Sequence, residues 1–183
     1  MSIKDLVLVA LFAALLAVLG IVPAFAVPVI AVPITAQTLG VMLAGSLLGA
    51  KRGGLAVLVF LGLVAVGLPL LAGGRGGVGV FVGPGGGYLT AWPIAAFVIG
   101  LLTERFWSTY DLKRACLFNI AGGIVLIHAL GIAWLVVGMG FAPEKAAIGS
   151  AAFLPGDLIK AVLAALISVT LRRYRQHPIA AAR

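Results

Sequence analysis

The chain is poor in charge. Of its 183 residues, five are acidic and thirteen are basic, so charged residues make up 10% against 63% hydrophobic. A soluble domain carries about a quarter charged residues and is about half apolar. That poverty excludes a water-soluble globule and identifies an integral membrane protein. There is one cysteine, Cys116, so no disulfide can close within the chain. Two histidines and five acids, scattered along the sequence, leave little for a metal centre. No G-x-x-x-x-G-K-[ST] run occurs, so the chain has no P-loop ATPase of its own. Hydrolysis would need a nucleophile beside a base. No serine or cysteine is placed to serve Asp157, Lys160 or His128 in that way, and an enzyme is not expected.

What is present is hydrophobic length, cut by glycine and proline. Hydropathy and breakers give six spans, at about residues 4–22, 35–50, 54–68, 89–107, 115–138 and 155–171. The expected fold class is an all-α integral membrane protein, a single six-helix domain over residues 1–183. Spans two and three reach roughly 24 Å, short of the roughly 30 Å hydrocarbon core. The first span imitates a signal peptide, with Lys4, an apolar run and Ala24-Phe25-Ala26. Its run is longer than a signal core, so it is kept as a span.

The net charge of +8 is topological. Lys4, Lys51, Arg52, Arg105, Lys113, Arg114, Arg172, Arg173, Arg175 and Arg183 fall on one side of the spans, against Arg75 and Lys145 on the other. Basic loops stay inside, which predicts both termini in the cytoplasm. Nucleic acid is not an expected partner. The tail Arg172-Arg173-Tyr174-Arg175 suits anionic lipid headgroups.

The polar groups gather on the other side. Pro155 suits the first turn of the last span, and Asp157 and Lys160, three residues apart, share a helix face just inside it. Each charge costs roughly 2.5–3.5 kcal/mol at the bilayer centre, so something must compensate it. Two readings stand: a structural ion pair, or a clamp whose carboxylate takes ligand N–H groups and whose ammonium donates to a ligand oxygen. Gln37 and Thr38 open span two. Tyr88 and Trp92, one turn apart at the start of span four, are interface aromatics or a flat wall for a ring. Arg75 stands alone in a glycine-rich loop, free in solvent or matched to a carboxylate. Gly74, Gly76 and Gly79 in that loop spell G-x-G-x-x-G, but a dinucleotide site needs a strand before it and a βαβ unit around it. The stretch 23–33, PAFAVPVIAVP, is too broken to span and too apolar to float. It is expected to fold back as a lid or wall. His128 reads as a bundle histidine satisfied by its neighbours, and Asn119 as a bond between helices. These features predict a pocket open to the outside, in a capture protein with no energy source of its own. A proton-coupled exporter is the alternative, although the internal repeats and broken midplane helices usual in such transporters are not evident.

Ala10, Ala13, Ala14 and Ala17 form two i, i+4 pairs, a small-residue stripe that lets another helix approach.

Several stretches together resemble one family. They are Pro33-Ile34-Thr35-Ala36-Gln37-Thr38-Leu39-Gly40, Leu48-Gly49-Ala50-Lys51-Arg52-Gly53, Gly67-Leu68-Pro69, Gly83-Pro84-Gly85-Gly86-Gly87-Tyr88-Leu89, His128-Ala129-Leu130-Gly131 and Phe153-Leu154-Pro155-Gly156-Asp157-Leu158-Ile159-Lys160. The chain resembles BioY, the substrate-binding (S) component of energy-coupling-factor (ECF) biotin transporters, over nearly its whole length. The resemblance implies a six-helix S-component bundle in a prokaryotic inner membrane, with biotin captured from outside as substrate and no cofactor. It implies docking to a transmembrane coupling protein driven by two ABC-type ATPases, with Ala10 and Ala14 matching the family's first-helix motif. Biotin carries a ureido ring, a thioether ring and a valerate carboxylate. Asp157 would take a ureido N–H and Lys160 would donate to the ureido oxygen. Arg75, or the N–H groups of the glycine loop at Gly86 and Gly87, would hold the carboxylate. Tyr88 and Trp92 would pack on the rings, with Gln37 and Thr38 beside them.

Overall fold

A computed structural model describes residues 1–176 of the chain, with side chains as far as Arg172. Arg183 and the rest of 177–183 lie outside the described residues, as do the side chains of Arg173, Tyr174 and Arg175. The structure is helical apart from one small hairpin. Helix α1 covers Ile3–Leu19, opened by a capping box between Ser2 and Asp5. Strands β1 (Phe25–Val27) and β2 (Val32–Ile34) follow as an antiparallel pair with Val27 opposite Val32. Then come α2 (Gln37–Leu48), α3 (Ala50–Ala65) and a single turn α4 (Gly79–Val82). Helix α5 covers Gly86–Arg105 and α6 covers Leu112–Ile120. A π-helical turn at Ala121–Leu126 joins α6 to α7 (Ile127–Val137). Helix α8 (Pro143–Ala151) and α9 (Leu154–Gln176) complete the chain.

Three helical stretches are long and apolar enough to cross a membrane among the described residues: Gly86–Arg105, Leu112–Val137 and Leu154–Arg172. Helices α1, α2 and α3 are shorter, at 17, 12 and 16 residues. Lys51 and Arg52 were expected between spans; they lie in the first turn of α3 instead. The reason is Gly49, whose φ of 82° is open to glycine and ends α2 in one residue. The Glu104 carboxylate then accepts the Ala50 N–H at 2.9 Å and starts the next helix, while Arg52 pairs with Asp5 at 3.0 Å. Helix α8, with Pro143 in its first turn, occupies a stretch expected to be loop.

The helices pack antiparallel around a core containing Leu16, Val41, Val57, Phe60 and Ala95, all fully buried. One end of the bundle collects Asp5, Lys51, Arg52 and Glu104. The other end brings the end of α1, the starts of α2 and α5 and the loop after α3 together, where Gln37 bonds to Leu16. The π-helical turn redirects the long rod: α6 packs on α9, and α7 packs on α5. Gly122 and Gly123 sit in that turn, where added β-carbons would meet Ile99 and Met42 at 2.4 Å. As expected, Asn119 links helices, accepting from Ser46 at 3.1 Å. The alanine stripe divides. Ala13 is buried and Ala17 packs on the core, whereas Ala10 and Ala14 face outward.

Candidate functional site

The site is built around the start of α9. Pro155 stands in the first turn, and the Asp157 N–H donates to Phe153 C=O at 2.9 Å. One turn of helix then puts Lys160 Nζ 2.7 Å from Asp157 Oδ1. Both groups are withdrawn from solvent, with side-chain exposures of 3% and 13%. The pair does not stand alone. Asp157 Oδ2 bonds to His128 Nε2 on α7 at 2.9 Å. Lys160 Nζ donates to Thr35 C=O and Thr38 Oγ1, each at 2.8 Å. Three elements therefore converge on one carboxylate–ammonium pair. A buried pair repays its desolvation only when the remaining lone pairs and protons are satisfied, and these partners do that. All three ammonium protons are engaged.

The cavity beside this pair encloses about 590 Å³ of space not filled by protein atoms, part of it open at the surface. Gln37, Thr38, Arg75, Tyr88, Trp92, Asp157 and Lys160 all line it, residues spread over 124 positions of sequence. Tyr88 and Trp92 project from one face of α5. The Tyr88 ring stacks on Phe153 with centroids 5.9 Å apart, meets the edge of His128, and bonds its hydroxyl to Ser150 at 2.5 Å. Gly131 makes this possible: a β-carbon there would stand 2.4 Å from the Tyr88 ring. Trp92 stacks on Phe60, and its buried indole N–H has no protein partner. Arg75 reaches the cavity from an exposed loop position, its Nε donating to Ala72 C=O at 3.1 Å. The hairpin supplies Val32 and Pro33 to the wall. The proline-rich stretch thus folds back on the bundle as expected, anchored by the fully buried Ile30.

Some expected residues play other parts in this geometry. Gln37 is fully buried, and its amide is committed to the fold. It donates to Leu16 C=O and Leu70 C=O at 3.0 Å and accepts from Ala72 N–H at 3.2 Å. Gly86 and Gly87 are absent from the cavity wall. They form the first turn of α5, where β-carbons would strike Phe81 C=O and the Trp134 side chain. Their smallness serves packing at that crossing. The neighbouring glycine on the wall is Gly85. His128 belongs to the site although sequence reasoning assigned it to the bundle. Phe153 and Leu71 are further wall residues without a prior assignment. The available signal for His128 was its own cost: a polar ring in an apolar span needs a partner, and Asp157 is the buried acid that offers one. Its Nε2 faces a carboxylate and so carries the proton when the ring is neutral, leaving Nδ1, which is buried and unpartnered, as an acceptor.

The arrangement can present a carboxylate oxygen and an ammonium side by side, between an aromatic wall and a guanidinium. The BioY family model matches residues 1–177. The chain belongs to the BioY family. It is 52% identical to the biotin transporter BioY of Rhizobium etli over 91% of this chain and 92% of that one. With the biotin transporter BioY of Rhodobacter capsulatus it shares 48% identity over 94% and 95%. Among solved structures, it superposes on the S-component for biotin from an ECF-type ABC transporter with a TM-score of 0.89, at 35% identity over 93% and 92% of the two chains. Like those BioY proteins, this one is a transport component of the membrane rather than an enzyme.

Proposed function

We propose that this BioY protein takes up biotin as the substrate-binding subunit of an ECF-type transporter. The observation that carries the reading is the buried Asp157–Lys160 pair held at 2.7 Å on a cavity wall. A ureido group offers an N–H and a carbonyl side by side, the complement of that pair. Asp157 takes the N–H. Lys160 donates to the carbonyl oxygen, which exchanges with one of the ammonium's protein partners, Thr35 C=O or Thr38 Oγ1. Tyr88 and Trp92 pack on the fused rings, and Arg75 pairs with the valerate carboxylate.

The bundle crosses the membrane six times, with α1, α2 and α3 as the shorter spans. Both termini lie in the cytoplasm of a prokaryotic cell, and the pocket opens outward. Support comes from the basic residues Lys51, Arg52 and Arg105, which lie at the end of the bundle opposite the cavity. Delivery inward requires a transmembrane coupling protein with two ABC-type ATPases, docked along Ala10 and Ala14.

The test is biotin binding to the purified protein beside Asp157→Asn and Lys160→Ala. Hydrogen bonds to charged groups contribute about 1.5–3 kcal/mol, so each change is expected to weaken binding by about 10- to 150-fold. Retained binding in both variants would reduce the pair to a structural ion pair. A folded wild type that binds no biotin would overturn the reading.

A further inference from the structure

On the outer face of the bundle, away from the biotin site, α3 and α5 leave a long apolar groove. Its floor is made by missing side chains. Gly54 lies against Phe97 and Pro93, and at Gly62 a β-carbon would meet nothing within 4 Å. Its rims are Leu58 and Phe97, 55% and 42% exposed. Thr90 adds no polarity, because its hydroxyl donates back to the carbonyls of Gly86 and Gly87. The groove ends at Lys51, which also lines the adjoining polar recess. The acids of that recess are already committed, Asp5 to Arg52 and Glu104 to the Ala50 N–H. Lys51 has no ion-pair partner among the described residues.

We propose that this groove is a binding site for one anionic phospholipid, with an acyl chain along α3 and the phosphate on Lys51. The lengths agree. From Lys51 to Gly62 the helix rises about 16 Å, and one leaflet of the hydrocarbon core is about 15 Å thick. The charge agrees too, since a lysine at the interface attracts anionic headgroups while its stem covers apolar surface. The proposal rests on the chain's being a membrane protein and is independent of the biotin reading.

The test uses phosphatidylglycerol and phosphatidylcholine in equal amounts, added to delipidated protein and counted per chain by native mass spectrometry. Wild type is expected to retain one lipid and to prefer phosphatidylglycerol. Lys51→Ala keeps the groove and loses the preference, by about fivefold. Gly62→Leu fills the groove without a clash and loses both lipids, with an unchanged melting temperature and biotin affinity. Identical lipid retention in all three proteins would overturn the proposal. So would a dimer of wild type that Gly62→Leu dissociates, because the groove would then hold a second copy of the chain.

Discussion

His128 is the residue whose role changes most between sequence and structure. It holds the second oxygen of Asp157, so the carboxylate is fixed from α7 while Lys160 fixes it from α9. Removing the imidazole in His128→Ala leaves Asp157 Oδ2 without that partner. We expect biotin affinity to fall about 10-fold or more, given the usual contribution of a charge-assisted bond. His128→Gln, which keeps an N–H donor, should recover part of the loss in the same binding titration. Gln37 gives the opposite outcome. Its amide joins α1, α2 and the loop before Arg75, so Gln37→Ala orphans two carbonyls and an N–H. Each orphaned buried group costs about 1–3 kcal/mol, and a lowered melting temperature is expected, with any loss of binding following the loss of fold. Asp157 and Lys160 were legible as a site because charges in an apolar run need compensation. Gln37 was legible as important and illegible as structural, since a buried amide looks the same in sequence whether it meets a ligand or three backbone groups.

Among elements, the six apolar stretches appeared where hydropathy placed them, with ends displaced by a few residues. The displacements have local causes that spacing does not encode. Gly49 and the distant Glu104 start α3 early enough to take in Lys51 and Arg52. The fold-back of the proline-rich stretch followed from its composition, whereas its hairpin register depended on pairing across the turn. The aromatic wall depends on close approach between helices. Gly131 admits the Tyr88 ring to α7, and Gly131→Ala should push that ring toward the cavity. The expected result is weaker biotin binding with a smaller change in melting temperature, read by titration and thermal denaturation. Gly87→Ala strikes Trp134, whose indole N–H holds the Gly83 carbonyl at 3.0 Å. There the melting temperature should fall first. Such crossings read in sequence only as glycine in a span, which says that something is close without saying what.

At the scale of the molecule, the cavity and the basic residues occupy opposite ends of the bundle, and α1 runs between them with two faces. Ala13 faces in and Ala14 faces out. Ala14→Trp should therefore abolish uptake in cells while leaving biotin binding by the purified protein intact. Ala13→Trp should overpack the core and lower stability, at a cost of about 1–3 kcal/mol. An equal loss of binding in both variants would place the whole stripe within the core. The stripe itself was visible as spacing; its division into two functions needed the helix to be rotated against its neighbours.

The π-helical turn at Ala121–Leu126 has a consequence best put as arithmetic. It stands between the part of the rod that packs on α9 and the part that carries His128 and Gly131 toward the cavity. Along an α-helix each residue advances the direction of side chains by about 100°. A chain one residue shorter in this turn would keep every side chain of the pocket wall. It would also turn those of α7 by about that angle relative to α6, so that His128 no longer faced Asp157. At this point in the molecule, the number of residues matters as much as which residues they are.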